Sequence, residues 1–251
     1  MNVGSLFDLL GLDRYDREAR LKPAVYAIAP VFLVVLLVTG VHRPIPAVLL
    51  LGVVAYFLRP LMESVRDRGR EVERDAGSTL GNARTARLLR HDDVTLLLST
   101  KETVRRHVRS RYGIELPDTV VERQHPDRAR KAYLEAARQL ASEARAESGR
   151  TLLLDENISY GFRRNLFGIK STGLAIVTGA FVASLIVLLA GVNGLPGTLG
   201  WGIPFVLLLS GFMWWKVDRT SVEVASQRYA ERLLDTVTAR ARHADVDVES
   251  S

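Results

Sequence analysis

The chain has 251 residues, a formal net charge of +6 and no cysteine. The lack of cysteine excludes disulfide bonds, thiolate nucleophiles and metal sites with cysteine ligands. Two stretches, residues 23–41 and 171–215, contain no charged side chain. Runs of that length exclude an ordinary soluble domain and predict membrane crossings, since a bilayer requires about 20 apolar residues for each spanning helix.

The N-terminal segment, residues 1–22, carries both acidic and basic side chains. We expect it to be a cytoplasmic amphipathic segment that leads into the first crossing. Asp8, Asp13 and Asp16 stand where a cleavable signal peptide would have a basic region. The first crossing is therefore expected to remain attached to the mature chain.

Residues 23–60 predict the first transmembrane hairpin. Its helices are expected at 24–41 and 46–59, with a turn at 42–45 between them. Pro60 should end or kink the second helix, because proline lacks a backbone N–H and clashes with the preceding turn. We expect Pro60 to act as a hinge between the membrane and the segment that follows.

Residues 61–158 are rich in charge and predict a mostly helical cytoplasmic domain. Helix 61–75 should project from the membrane. Residues 92–112 fit one amphipathic helix, but they also fit a strand at 94–98 followed by a capped helix, and both alternatives stay open. An alanine-rich helix is expected at 126–148, with apolar side chains along one face.

Residues 159–217 predict a basic interfacial elbow and a second transmembrane hairpin. Helices 172–192 and 201–217 are separated by residues 193–200, which contain the glycine and proline pairs typical of turns. Residues 218–251 should form a cytoplasmic helix and tail.

The distribution of positive charge predicts the orientation. Of the 34 Lys and Arg residues, the two predicted hairpin loops contain only Arg43. Positive side chains near crossings are retained in the cytoplasm and also attract anionic lipid heads. The sequence therefore predicts an all-α integral protein of a bacterial or archaeal cytoplasmic membrane, with four crossings, both termini inside and a mostly helical cytoplasmic domain.

The third predicted crossing carries small side chains at helical spacing. Small residues let helix backbones approach closely in lipid, as in small-xxx-small motifs. The face could form an oligomeric contact or line a pore, with its hydroxyls as polar lining, or it could pack inside a single chain. The residues concerned are Ser171, Ala175, Thr178, Gly179, Ala183 and Ser184.

Motifs for chemistry are weak throughout the chain. Apart from Arg59 and Lys216 at their ends, the predicted crossings contain no Asp, Glu, Lys, Arg or His, which argues against a proton-coupled transporter. Residues 91–93 form a His-Asp-Asp triplet without matching metal ligands elsewhere, and residues 77–81 contain glycines but no lysine for a phosphate loop. We therefore expect no enzyme activity, no cofactor and no metal site.

A cluster of arginines is the strongest candidate for a binding site. Guanidinium groups bind phosphate bidentately, so the cluster could hold a nucleotide or a short oligonucleotide, although a plain solvated face is the alternative. Few aromatic residues accompany it, so reading of duplex nucleic acid is not expected. The cluster consists of Arg84, Arg87, Arg90, Arg105, Arg106, Arg109 and Arg111.

Paired hairpins, the basic elbow at residues 159–170 and an arginine-rich cytoplasmic module without enzyme motifs make up the predicted layout. This layout resembles the small membrane effectors of bacterial anti-phage signalling systems of the CBASS and Hailong kind. The resemblance implies a cytoplasmic module that senses a nucleotide messenger and membrane helices that open a pore.

Two functions follow as hypotheses. The first is an oligomeric membrane channel or effector, with a tetramer favoured, that is gated through the cytoplasmic domain and binds its ligand at the arginine cluster. The second is a membrane scaffold that conducts nothing and docks a protein partner through its cytoplasmic helices. A channel requires a ring of copies with an axial path, whereas a scaffold requires only a docking face.

Overall fold

The structure, a computed structural model, describes residues 11–39, 44–146, 152–191 and 197–249. These residues form helices joined by short loops, and no strand occurs among them. The predicted all-α class is confirmed.

One π-helical turn at Asp16–Leu21 leads directly into the first α-helix. The α-helices in chain order are α1 (Lys22–Thr39), α2 (Pro44–Asp75), α3 (Gly81–Leu88), α4 (Leu98–Tyr112), α5 (Thr119–Gln124), α6 (Pro126–Ala146), α7 (Leu152–Gly168), α8 (Lys170–Leu189), α9 (Gly197–Lys216) and α10 (Arg219–Glu249).

Both alternatives for residues 92–112 are wrong in part. Residues 94–97 are irregular rather than a strand, and the helix begins at Leu98 rather than at residue 92. The backbone N–H of Thr95 donates to Asp93 Oδ1 at 2.9 Å. This local bond between side chain and backbone offers an alternative to helical and ladder hydrogen bonds, so it keeps the segment in a turn.

The chain divides into two compact units. The apolar unit comprises Met1–Val72 and Gly161–Ser221, and the polar unit comprises Glu73–Tyr160 and Val222–Ser251. Their boundaries fall within α2, α7 and α10, so each of these helices contributes residues to both units.

Two helices in the described part of the chain are long and apolar enough to cross a membrane, Asp16–Thr39 and Lys170–Leu189. A third span results if Gly200–Lys216 and Arg219–Ala241, which meet at a bend of 58°, are counted as one. The crossing predicted at 46–59 belongs to α2, but most of its side chains lie outside the described residues, so its place in the membrane stays a prediction. Of the turn expected at 42–45, residues 42–43 lie outside the described residues, and Pro44 and Ile45 already belong to α2.

Helix boundaries differ from the expectation at two places. α2 runs without interruption through Pro60, so that proline does not end the helix. Most of the elbow expected at 159–170 belongs to α7, which begins earlier, at Leu152, and ends at Gly168 just before α8. Its place at the membrane interface stays a prediction. By contrast, the apolar face predicted for α6 is confirmed, since Ala129, Tyr133 and Leu140 are at most 2 % exposed.

Close backbone contact joins the start of the apolar unit to α7. The side-chain amide of the buried Asn165 donates to the carbonyl of Ala19 in the π-helical turn at 2.7 Å. A Cβ on Gly168 would lie 2.7 Å from the carbonyl carbon of Arg68 on α2. α7 can therefore cross α2 only because glycine leaves the space open.

The core of the apolar unit lies where α8 packs against α1 and α9. The Trp214 side chain of α9 is 4 % exposed and lies on Gly173 of α8. A Cβ on Gly173 would meet the Trp214 ring at 2.6 Å. Because Gly173 has no side chain, the Trp214 ring, the largest aromatic group of this core, can pack directly against the backbone of α8.

Lys170 fixes the end of α9. Its ammonium group donates to the carbonyls of Trp215 at 3.0 Å and Val217 at 2.6 Å. The last carbonyls of a helix lack intrahelical donors, and a lysine that donates to them satisfies these groups. This contact lies at the 58° bend between α9 and α10.

Replacing Gly173 by Ala should destabilise the apolar unit by about 1–3 kcal/mol, because the added methyl group overpacks the Trp214 seat. Gly179→Ala on the same helix is the matched control, since a Cβ there meets nothing within 4 Å. Thermal unfolding of the full chain in detergent, followed by tryptophan fluorescence, compares the two variants. Equal melting temperatures for both would contradict the packing at Gly173.

Candidate ligand-binding site

The polar unit is organised around one buried carboxylate, Glu122, which is 7 % exposed. It sits on the short helix α5, whose first turn is capped by the Asp118 side chain. Asp118 Oδ1 accepts from the N–H groups of Val120 at 2.9 Å and Val121 at 2.7 Å. The cap orients α5 so that Glu122 points inward.

Three donors neutralise and hold Glu122. Arg90 Nε donates to Oε1 at 2.7 Å, while the N–H of His91 and the hydroxyl of Tyr133 both donate to Oε2 at 3.2 Å. A buried charge is tolerated only when it is paired and hydrogen-bonded. Arg90 is therefore required by the fold of this unit.

Arg105 extends the same network from α4. Its guanidinium donates to the carbonyls of Leu116 at 3.3 Å and Pro117 at 2.9 Å and to the hydroxyl of Tyr133 at 2.7 Å. It also lies over the Tyr133 ring, 5.7 Å from the centroid. Arg105 thus joins α4, α6 and the loop that precedes α5.

Lys101 is a buried cation of α4, at 3 % exposed. Its ammonium group donates to the carbonyls of Arg90 and Asp93. Burial lowers the pKa of Lys101, although nearby Asp93 opposes this shift. The contact holds the loop after α3 against α4.

Burial raises the pKa of the Tyr133 hydroxyl to about 12, with Glu122 adding to the shift and Arg105 opposing it. The neutral hydroxyl is the form that donates to Glu122, so the network needs Tyr133 protonated.

A cleft of about 420 Å³ opens beside this network, between α3, the loop at 91–95 and α6. Ligand pockets usually have volumes of about 300–1,000 Å³. Its lining includes three arginines and two aspartates, Arg87, Arg90, Arg130, Asp92 and Asp93. The volume suffices for a small organic ligand.

Two of the lining arginines have no partner within the described residues. Arg87 and Arg130 are exposed, and neither makes a hydrogen bond or ion pair there. Arg90, by contrast, is occupied by Glu122 and by Asp92, which lies 3.1 Å from its guanidinium. The cleft therefore offers two uncommitted guanidinium groups beside a neutralised one.

Asp93 is a further carboxylate of the cleft, and its Oδ1 already accepts the N–H of Thr95. Burial alone would raise its pKa, but the hydrogen bonds from Thr95 and the charge of Lys101 outweigh burial and lower it. Asp93 therefore stays ionised at neutral pH and can accept hydrogen bonds from a ligand.

The predicted arginine cluster does not form one site. Arg84 donates to Gln227, Arg90 and Arg105 belong to the buried network, and Arg109 forms an exposed pair with Glu115 at 3.0 Å. Arg106 and Arg111 are exposed on α4, while the cleft brings Arg87 and Arg90 together. The cluster divides because Arg90 lies beyond the end of α3, and because arginines one or two residues apart on α4 project from different faces of that helix.

Three important residues were absent from the sequence-based site. Arg130 contributes to the cleft, while Glu122 and Lys101 hold the loop that forms its wall. Arg130 is one cation in a helix rich in charge, so nothing in the local pattern marks it. Glu122 lies four residues after Asp118, and the local sequence marks it only as part of a short helix, not as part of a site.

The small residues predicted on the third crossing lie on two faces of α8. Gly173, Val177, Ala180 and Ser184 are buried, with the Ser184 hydroxyl donating to the carbonyl of Phe181 at 2.7 Å. The opposite face is exposed or half-buried and consists of Ser171, Ala175, Thr178, Gly179 and Ala183. Ser184 is therefore separated from the remaining predicted lining residues.

Pro60 is exposed within α2, and its role as a hinge stays a prediction. Among the described residues, no group of three or more His, Asp or Glu side chains could hold a metal ion.

Comparisons with known proteins add no relative. A scan against models of known protein families, a search of curated proteins and a search of solved structures each gave no match.

Replacing Arg105 by Ala should destabilise the polar unit by about 2–3 kcal/mol, because it removes charge-assisted bonds to two carbonyls and to Tyr133. Arg109→Ala is the control and should cost about 0–1 kcal/mol, since its ion pair with Glu115 is exposed. Hydrogen exchange of peptides from α4 to α6 in the detergent-purified full chain measures both. Equal protection in the two variants would rule out this role of Arg105.

The polar unit should also weaken at alkaline pH. The raised pKa of Tyr133 contributes stability that is complete below the unfolded value of about 10 and is lost as the pH rises through about 12. The difference in melting temperature between the wild type and Tyr133→Phe should therefore narrow across this window. Circular dichroism of both proteins measures the difference, and a constant difference would contradict the protonated network.

Proposed function

We propose that this chain is a membrane channel formed by several copies and gated through its polar unit. The polar unit would lie in the cytoplasm of a bacterial or archaeal cell. Under this proposal, the protein acts as an effector in anti-phage defence, as the resemblance in layout implies. The observation that carries the channel proposal is the exposed small-residue face of α8.

α8 is apolar enough to cross a membrane, yet its free face carries the hydroxyls of Ser171 and Thr178. A hydroxyl that faces hydrocarbon can bond only to its own backbone, and interhelical partners or water are the favourable alternatives. Gly179 follows Thr178 on this face and adds no side-chain bulk. Such a face suits close contact with a second copy or the lining of an aqueous path.

The membrane topology is part of the proposal. It has two hairpins, with crossings near α1, the first part of α2, α8 and α9, and both termini in the cytoplasm. Residues 171–215 contain no charged side chain, so a pore lined by α8 would present hydroxyls and backbone rather than ionisable groups. A ring of four copies is the favoured assembly.

One observation supports a scaffold as the second candidate. The loop beside the cleft exposes apolar side chains, with Val94 at 94 %, Leu97 at 75 % and Leu98 at 65 % exposed. Adjacent exposed apolar residues in a charged unit are typical of a docking surface. A scaffold would use this surface and would need no axial path.

Single-particle imaging of the detergent-purified full chain separates the two candidates. The channel requires a closed ring with α8 around an axis, together with ion conductance in a planar bilayer. A monomer or a two-fold dimer without an axial path would overturn the channel and leave the scaffold.

Gly179→Leu should break the ring or reduce conductance at least ten-fold, because the leucine fills the face proposed to contact the next copy. It should leave each copy folded, since a Cβ at this position meets nothing within 4 Å. Gly202→Leu on α9 is the control, because its Cβ is equally free. Light scattering in detergent and bilayer recordings measure both variants, and an intact conducting ring in Gly179→Leu would exclude this face.

A further inference from the structure

The cleft of the polar unit has the shape and charge of a binding site whose ligand can be assigned by class. We propose that it binds a phosphate ester of mononucleotide size that carries one phosphate group and a hydrogen-bond donor. This inference rests on the proposed function, because it assumes that the polar unit binds the ligand that gates the channel.

The phosphate position follows from the two uncommitted arginines. Arg87 on α3 and Arg130 on α6 both line the cleft without a partner in the described part of the chain. Guanidinium groups bind phosphate oxygens through paired N–H donors, and two of them match the charge of one phosphate monoester. Arg90 does not add to this charge, because Glu122 and Asp92 already neutralise it.

The carboxylates limit the charge of the ligand. A triphosphate would bring about four negative charges beside Asp92 and Asp93 of the lining, and like charges repel each other at close range. A phosphate monoester brings about two negative charges, fewer than a polyphosphate and closer to what the three arginines and two aspartates of the lining can accommodate. The site therefore disfavours polyphosphates and nucleic-acid strands, which also require a longer positive groove.

The rest of the ligand must match Asp93 and an apolar wall. Asp93 is ionised and can accept hydrogen bonds from amino or hydroxyl groups, as on a base or a sugar. The half-buried Leu134 and the exposed Val94 at the rim add apolar surface to the same lining. Phosphate, hydrogen-bond donor and flat apolar ring occur together in a nucleoside monophosphate, and the cavity of about 420 Å³ is large enough for one.

A lipid headgroup shares part of this chemistry, since it combines a phosphate ester with hydroxyl or amino donors. It lacks a base, so it would leave the apolar wall of the cleft unused. Glycerol phosphate is therefore the probe that separates the lipid source from the nucleotide source.

The test is calorimetric titration of the detergent-purified full chain with the four common nucleoside 5′-monophosphates, with adenosine, with glycerol phosphate and with inorganic phosphate. At least one nucleotide should bind saturably and at least ten-fold more tightly than the other three probes. Tight binding of glycerol phosphate would overturn the nucleotide assignment in favour of a headgroup. Absence of saturable binding by all four nucleotides would overturn the site itself.

Variants assign the contacts. Arg87→Ala and Arg130→Ala should each weaken nucleotide binding at least ten-fold, while Arg109→Ala, outside the cleft, should change it less than two-fold. Asp93→Asn should weaken nucleotide binding and leave inorganic phosphate unaffected. Unchanged affinity in both arginine variants would contradict the site, and normal circular dichroism spectra exclude unfolding as the cause of any loss.

The experiment distinguishes this inference from the channel proposal, because calorimetry requires neither a ring nor conductance. Nucleotide binding by a chain that forms no channel would support the site and overturn the channel. A conducting ring whose polar unit binds none of the nucleotides would do the reverse.

Discussion

Neutralisation of the buried Glu122 carboxylate is the interaction on which the polar unit depends. An unpaired charge at 7 % exposure would cost several kcal/mol, so its donors cannot be withdrawn without loss of the fold. This requirement commits Arg90 directly and Arg105 through Tyr133. The arginines that look alike in the sequence therefore fall into two groups. Arg90 and Arg105 stabilise the fold, whereas Arg87 is available to a ligand.

The apolar unit is stabilised in a different way, because its core consists of apolar side chains rather than charge pairs. Its close contacts are made by removing side chains, as where Gly173 receives Trp214 and Gly168 meets α2. One face of α8 is used in this way, while the face with Ser171, Thr178 and Gly179 is exposed among the described residues. The same composition thus serves packing on one side and leaves a polar stripe on the other, which is the basis of the channel proposal.

Periodicity and turn residues predicted most of the helices, because these features depend on local sequence. The charge-free run at 171–215 predicted α8 and α9, and the alanine spacing predicted the buried face of α6. The start of α4 was predicted wrongly, because the Asp93 side chain accepts the Thr95 N–H and keeps this segment out of the helix. The continuation of α2 through Pro60 was not predicted either, because the surrounding structure outweighs the one hydrogen bond that proline removes.

The candidate site was predictable only in part, since its residues come from separate helices. Arg87 and Arg90 were identified as candidates, but their division into one free and one committed guanidinium depends on Glu122, which lies 32 residues after Arg90 in the chain. Arg130 approaches the cleft only because α6 packs against α3. No spacing rule within one helix relates these positions.

The geometry of the cleft also bears on how a ligand could act. A ligand that inverts an equilibrium from 1:99 to 99:1 must bind one state about 10⁴-fold more tightly, a difference of about 5.5 kcal/mol. A hydrogen bond to a charged group contributes about 1.5–3 kcal/mol, so both arginine contacts would have to form in one state and break in the other. Arg87 and Arg130 sit on different helices, and the buried surfaces of these helices are rich in alanine, including Ala86 on α3 and Ala129 and Ala136 on α6. Glu122 joins the two helices, because it accepts from Arg90, just after α3, and from Tyr133 on α6. A movement of α3 against α6 would therefore have to keep this network intact. Under the proposed function, the gated state is the one in which both guanidinium groups contact one phosphate while this network is kept.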